Sequence, residues 1–378
     1  MPACPYCENN DIQLYYYAKL PFFIWPLTPG EKNFMVTVEV YLCTNCWYAF
    51  NINPLSEEYI KKLYDDYYIA PPAHKHYYSP HSEFFKLVKG NIKSDDRIIE
   101  IGPSNGYLLT LLYVHGYEYL EEAKPERRID GNLSLRVVDD FSIGDEEFGS
   151  EIDVFLLDNV FEHLEKPWEF LEMISNGLSK DGRIIMEFPG YCSCMHHQHV
   201  SFFTLPFLQT ISQECGLIMN VAFHDHSTVT RVIFQKRGNC GKLLSLDIDE
   251  LEKEKELILQ NTQKISQDFI NNKSKLNNFL KNASGGEIYW WGTDMWAASL
   301  FSYIDQDLLN ENLKIKYIDS DDSKEGLIFF PAKAEVFSAE KILKNANIKY
   351  LVIASKYEYE MTKILKEWNC NAESIFHV

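Results

Sequence analysis

The spacing of apolar and polar positions changes several times along the chain, and each change predicts an element. Met35-Val-Thr-Val-Glu-Val-Tyr-Leu42 alternates with period two, as a strand with one buried face does. Pro54-Leu55-Ser56-Glu57-Glu58 reads as a turn, an N-cap at Ser56 and acids in a first helical turn. Arg97-Ile-Ile-Glu-Ile101 is a short apolar run that enters Gly102-Pro-Ser-Asn-Gly106 and then the helical pattern Tyr107-Leu-Leu-Thr-Leu-Leu. Strand, glycine-rich turn and helix in that order make the first βα unit of a doubly wound sheet. The stretch Ile152-Asp-Val-Phe-Leu-Leu-Asp-Asn-Val-Phe-Glu162-His163-Leu-Glu-Lys-Pro167, a helix over 168–178 and Ser179-Lys-Asp-Gly182-Arg-Ile-Ile-Met-Glu-Phe-Pro189 follow it. Over 247–282 the pattern is charged, helical and free of proline, and no clean heptad persists. That favours a connecting helix over a dimerising coiled coil. Beyond it, Glu287-Ile-Tyr-Trp-Trp291 runs into Gly292-Thr-Asp-Met-Trp-Ala297. Lys314-Ile-Lys-Tyr-Ile318-Asp319 and Lys349-Tyr-Leu-Val-Ile-Ala354 then read as further strands of a small α/β module, with a helix from Tyr357. This module is either a second ligand site or a purely structural unit.

At 378 residues the chain is too long for one ordinary core. The expected division is a ribbon over 1–55, a doubly wound core over 56–240, a linker helix over 241–284 and a C-terminal α/β domain over 285–378. Acidic residues number 55 against 36 basic, a formal net charge of −19. Such a field repels nucleic acid and anionic lipid, so neither is expected as a partner, and a ribbon-type nucleic-acid adaptor is disfavoured. The chain opens on Cys4 and Cys7 instead of a basic segment with an apolar run. Its apolar stretches, such as 20–27, fall far short of the roughly 20 residues of a spanning helix. A cytoplasmic location follows as an expectation, with Cys192, Cys194, Cys215, Cys240 and Cys370 as reduced thiols.

The other four cysteines pair as Cys4-Pro-Tyr-Cys7 and Cys43-Thr-Asn-Cys46. Two CxxC knuckles offer four thiolates to one Zn2+, and four protein ligands leave no open position, so such a zinc is structural. Two disulfides or unrelated buried thiols are the competing reading. His196-His197-Gln198-His199 is a second candidate, since imidazole titrates near working pH and also binds metals. A solvated histidine-rich loop is the alternative. His74, His76 and His81 lie in a turn-rich stretch that is read as a solvated linker before it is read as a lid.

Glu100-Ile-Gly-Pro-Ser-Asn-Gly106, Asp158-Asn-Val-Phe-Glu-His163-Leu and Leu178-Ser-Lys-Asp-Gly182 together resemble the first motif, the fourth motif and the following turn of class I methyltransferases. With the ribbon and the His-x-His-x-Ser-x-Phe-Thr type of segment ending at Thr204, the chain looks like the sugar C-methyltransferases. The resemblance implies a Rossmann-like methyltransferase core and a second, C-terminal Rossmann-like domain. It also implies S-adenosyl-L-methionine as cofactor and a nucleotide-linked keto-sugar or related glycan precursor as substrate. Carried over residue by residue, it places Glu100, Gly102, Ser104, Gly106 and Asn159 at the cofactor, with Glu122 as the nearest acid for the ribose and Asp139 or Asp140 for the adenine edge. His199 becomes the base, beside His197, with His163 and a tyrosine of Tyr67-Tyr68, taken as Tyr68, as polar supports. Ser104 replaces the usual middle glycine. Gln198 replaces the family's glutamate, which keeps a hydrogen-bonding group and removes a charge. O-methylation of a sugar, or a non-catalytic scaffold that binds a sugar nucleotide, is the alternative. A monomer or weak homodimer is expected.

Overall fold

A computed structural model describes residues 2–23, 27–30, 32–56, 58–59, 82–103, 106–123, 136–138, 152–193, 197–236, 248–283, 285–310, 313–355 and 357–377. Contacts divide the chain into two compact units. One comprises Met1–Gln13 with Tyr41–Asn261, the other Leu14–Val40 with Thr262–Val378. The division falls inside strands β1 (Ile12–Pro21) and β2 (Met35–Cys43), and inside the long helix described below.

In the first unit β3 (Ala49–Asn51) follows the second cysteine pair. Helix α1 (Glu83–Gly90) begins where the Ser82 hydroxyl accepts a hydrogen bond from Phe85 N at 3.1 Å, and it buries Phe84, Phe85 and Val88. Strand β4 (Ile98–Ile101) is buried along its whole length. Next come α2 (Tyr107–Val114), β5 (Leu120–Ala123), β6 (Arg136–Val138) and β7 (Ile152–Asp158). A 3₁₀ turn at Phe161–His163 leads to α3 (Pro167–Gly177), which starts on proline, a residue that gives up no needed N–H at the first helical position. Strand β8 (Leu178–Pro189), β9 (Ser201–Phe202), α4 (Leu205–Glu214), β10 (Leu217–His224) and β11 (Val229–Lys236) complete the unit, with the first part of α5 (Ile248–Asn282).

Seven strands form one sheet in the order β10-β11-β8-β7-β4-β5-β6. Strands β6, β5, β4, β7 and β8 run parallel, whereas β11 is antiparallel to both neighbours. From β4 the chain moves outward to β5 and β6, then returns to place β7 and β8 on the other side. The order therefore reverses between β4 and β7, and at such a reversal a crevice opens at the carboxyl ends of the strands. Helices cover both faces. Ile99, Ile101, Phe155 and Leu157 pack with Leu171 and Ile174 of α3 and with Phe207 and Leu208 of α4. Ile98, Val154 and Leu156 pack with Phe85 of α1 and Leu108 and Leu112 of α2.

The segment Leu178-Ser-Lys-Asp-Gly182, expected as a turn, is a bulge at the start of β8. Ile152 pairs with Leu178, and the next partner, Val154, pairs with Arg183. Asp153 holds the bulge by accepting from Ser179 Oγ at 2.8 Å and from Arg97 N at 2.9 Å.

In the second unit β12 (Glu287–Trp291), α6 (Met295–Phe301), α7 (Gln306–Asn310), β13 (Lys314–Asp319), β14 (Ile328–Phe329), β15 (Ala334–Ser338), α8 (Ala339–Leu343), β16 (Asn347–Ile353), α9 (Glu358–Glu367) and β17 (Asn371–His377) build a six-stranded sheet ordered β14-β15-β13-β12-β16-β17. It is parallel except for β14. The glycine turn after β12 is filled by the chain itself. Asp294 caps α6 by accepting from Trp296 N and Ala297 N, and Asp319 accepts from Thr293 N, Thr293 Oγ1 and Lys324 Nζ. Two carboxylates thus occupy the place where a phosphate would sit at a helix N-terminus.

Gly292 has φ +116°, and a Cβ there would stand 2.5 Å from the Ala354 carbonyl oxygen. Gly292→Ala is expected to destabilise this unit by about 3 kcal/mol or more, because backbone conformation and backbone contact are both violated. Its thermal midpoint measured against the wild type tests this, and unchanged melting would contradict it. Among the described residues, no helix is long and apolar enough to cross a membrane.

Candidate functional site

The four N-terminal cysteines converge. Sγ of Cys4 lies 3.6 Å from Sγ of Cys46, Sγ of Cys7 lies 3.6 Å from Sγ of Cys43, and all four sulfurs fall within 4.8 Å of one another. A tetrahedron with metal–sulfur bonds of 2.3 Å has edges of about 3.8 Å, whereas a disulfide would need about 2.05 Å. The set can therefore hold a metal ion, and the described cysteines are free thiols. Local backbone explains the convergence. In each knuckle the residue after the second cysteine, Glu8 (φ 58°) or Trp47 (φ 66°), turns left-handed. Its N–H donates to the carbonyl of the first cysteine, Glu8 N to Cys4 O at 2.9 Å and Trp47 N to Cys43 O at 2.8 Å. Hydrogen bonding with Cys46 lowers the Cys4 thiol to about 5, toward the thiolate that binds metals, and raises Cys46 in return.

The second cluster sits at the carboxyl ends of β7 and β8, beside the reversal point. Gly102 follows β4 at φ +66°, and a Cβ on it would come within 2.8 Å of Val160 Cγ2 in the segment after β7. Asn159, at φ 52°, donates its amide to Asp158 Oδ1 at 2.7 Å, and its N–H bonds the Glu187 carbonyl at 2.9 Å. Glu162 is buried, with a carboxylate oxygen 3.8 Å from His199 Nε2 and 4.0 Å from His163 Nε2. Two bonds tie the turn holding Glu162 to the 197–200 segment: Val200 N to the Glu162 carbonyl, and His163 Nδ1 to the Gln198 carbonyl, both at 2.9 Å. Since a carbonyl only accepts, His163 carries its proton on Nδ1, and Nε2 is left facing Glu162. The imidazoles of His163 and His199 meet edge to face at 4.9 Å, and the His199 ring also stands edge to face with Phe202 at 6.3 Å.

Electrostatics in this cluster follow from crowding acids into a dry place. Burial raises Asp158 to about 7, with the Glu187 charge adding to it. Burial raises Glu162 to about 8, its own backbone N–H opposing and the charges of Asp158 and Glu187 contributing. Burial also raises Glu187, although its ion pair with Arg231 offsets much of this. His163 is lowered by burial. Glu162, His163 and His199 lie close enough together to hold a metal ion as well as to move a proton.

Glu162 has a consequence for stability. Its folded value of about 8 exceeds the ordinary 4.5, so the folded chain keeps a proton that the unfolded chain releases. The contribution to stability is complete below pH 4.5 and is lost as pH rises toward 8. Glu162→Gln is therefore expected to gain on the wild type as pH rises from 5 to 8, by a few kcal/mol. Denaturant unfolding at both pH values tests it, and parallel behaviour of the two proteins would contradict it.

The structure brings together His163, His199 and Asn159, with Glu100 and Gly102 across the reversal. Gly106, at φ 70°, precedes α2. Glu122 pairs in register with Glu100 on the adjacent strand, so both acids share one face at the end of the sheet, and both are buried. His197 is fully buried in the turn before His199. Tyr68, Ser104, Asp139, Asp140, His196, His74, His76 and His81 lie outside the described residues. Glu162 and the Glu187–Arg231 pair were not singled out from the sequence. Glu162 stood inside a quoted motif, four residues after Asp158, and that spacing is the signal that could have marked it.

No protein-family model matches the chain, and no curated protein matches it. Among solved structures, it is similar to a SAM-dependent methyltransferase from Archaeoglobus fulgidus at 16% identity and a TM-score of 0.35, covering 40% of this chain and 91% of that one. A methyltransferase from Mesorhizobium loti matches at 9% identity and 0.33, covering 40% and 96%. One from Aquifex aeolicus matches at 13% and 0.35, covering 40% and 89%. Likeness at that level assigns neither a substrate nor a residue role to this chain.

Proposed function

We propose that this chain transfers a methyl group from S-adenosylmethionine to a nucleotide-activated sugar or related glycan precursor, with His199 as base. The observation that carries this reading is the placement of His199, Glu162 and His163 at the carboxyl edge of β7, next to the β4/β7 reversal. The crevice suits the cofactor in one respect: the buried acids Glu162 and Glu187, with the half-buried Asp158 beside them, favour a cationic guest. Glu100, Gly102, Gly106 and Asn159 would hold it, with Glu122 as the acid nearest the ribose.

When bound, the cofactor supplies an electrophilic methyl group on a positively charged sulfonium. His199 would take the proton alpha to the sugar ketone, leaving the electron pair on that carbon for the methyl group that the cofactor would supply. The imidazolium so formed lies 3.8 Å from the Glu162 carboxyl and favours its ionised form. His163, fixed by the Gln198 carbonyl, braces the His199 ring. Glu162 brings to this point the carboxyl that Gln198 does not carry. The cysteine cluster is proposed to bind one structural zinc ion.

Calorimetric titration of the purified full chain with S-adenosylmethionine and with its demethylated product tests the reading. Micromolar binding of either supports it, and binding of neither overturns it.

A further inference from the structure

A second histidine–carboxylate cluster lies on the same edge of the seven-stranded sheet, two strands beyond β8. His224 ends β10, His226 follows in the turn to β11, and Glu254 projects from the first part of α5. Oε1 of Glu254 is 3.2 Å from His224 Nε2 and 3.6 Å from His226 Nε2. All three side chains are between 10% and 16% exposed.

We propose that His224, His226 and Glu254 form a binding site for one divalent transition-metal ion of the zinc type. Metal–ligand bonds of 2.0–2.1 Å in a tetrahedron set neighbouring donor atoms about 3.3 Å apart, and the two separations from Glu254 bracket that edge. The two rings are nearly perpendicular, at 82°, with centroids 4.5 Å apart, so their nitrogens approach a common point from different directions.

Each donor is also positioned from behind. Thr230 Oγ1 lies 2.8 Å from His224 Nδ1, and a proton on Nδ1 leaves Nε2 as the lone-pair donor, which is how second-shell partners set ligating histidines. The His226 ring stands edge-on to Tyr191 at 5.1 Å, and the Tyr191 hydroxyl donates to the Ile258 carbonyl, one turn along α5 from Glu254. Asp225, between the histidines, is committed to Ser227 and Thr228 and closes the turn.

A dication would be shared by all three groups. Two nitrogens and one oxygen select zinc, cobalt or nickel over calcium or magnesium. Three protein ligands leave a position for water or for an oxygen of a substrate.

Cobalt(II) is the probe. The full chain, passed over a chelating resin, is titrated with Co2+ and followed by visible absorption. One equivalent should bind with ligand-field bands and no thiolate-to-cobalt charge-transfer band, which separates this site from the cysteine cluster whatever that cluster holds. Glu254→Gln should weaken this equivalent at least tenfold, and Thr230→Val by about 10–100-fold. Thr230→Val alters no ligand and keeps the side chain's shape; it removes one buried hydrogen bond, so without cobalt it should remain folded and melt only a few degrees below the wild type. Absence of the thiolate-free equivalent, or its persistence at full affinity in Glu254→Gln, would overturn the proposal.

Discussion

His199→Ala is expected to retain cofactor affinity within a few fold and to lose about 10²–10⁴ in kcat, the range supplied by a positioned general base. The side chain is 7% exposed and is not part of the main apolar core, so its removal takes away the imidazole without opening that core. Glu162→Gln should fall between that variant and the wild type, because the carboxyl acts on the imidazole and not on the substrate. The pH–rate profile separates the roles. The wild-type rate should climb as Glu162 ionises near pH 8, and this limb should be missing in Glu162→Gln, with the coupled Asp158 setting where it begins. Full turnover by His199→Ala, with cofactor bound, would remove His199 as the base and leave methyl transfer itself standing. Loss of cofactor binding in the same variant would assign the histidine to the cofactor's site.

Much of this arrangement was legible along the chain, for identifiable reasons. The strand–glycine–helix run that starts at Arg97 is a local pattern, and it appears where the spacing put it. The charged helix over 248–282 likewise follows from a continuous 3.6-residue period without proline. What local pattern does not contain is pairing. Strands β10 and β11 form an antiparallel hairpin at the edge of the sheet, and its partners on β8 lie 40 to 52 residues away. The bulge at 179–182 is likewise decided by Ile152 and Asp153 on a neighbouring strand. The same holds for the clusters. His163 and His199 are 36 positions apart, and only the bonds between the 161–163 turn and the 197–200 segment bring their rings together. Gln198 leaves the histidine segment itself without a carboxylate. A buried one arrives instead from Glu162, on the other side of the same contact.

The other large effect is expected at the cysteines. Cys43→Ser should purify without the metal of the cysteine cluster and unfold its unit about 10 °C lower, corresponding to a loss of about 3–5 kcal/mol in a domain of this size. The cost comes from where the knuckles are built in. Cys4 and Cys43 are buried, and they belong to the same core as Tyr48 and Phe50, which continues through Phe207 to the face of the seven-stranded sheet. Tyr48 stacks on Phe207 at 4.5 Å, and its hydroxyl bonds Ser201, two residues after His199. Loosening the second knuckle therefore reaches the segment that carries the proposed base, and activity should fall with stability. Cobalt substitution distinguishes this from the histidine cluster. In the wild type, cobalt in place of the cysteine-bound metal should show the strong thiolate charge-transfer band. In Cys43→Ser that band should be lost or weakened, while the thiolate-free equivalent at His224, His226 and Glu254 remains. If Cys43→Ser kept the wild-type metal content and melting, the four sulfurs would be neighbours in the core and not ligands. The knuckle geometry would then need another cause.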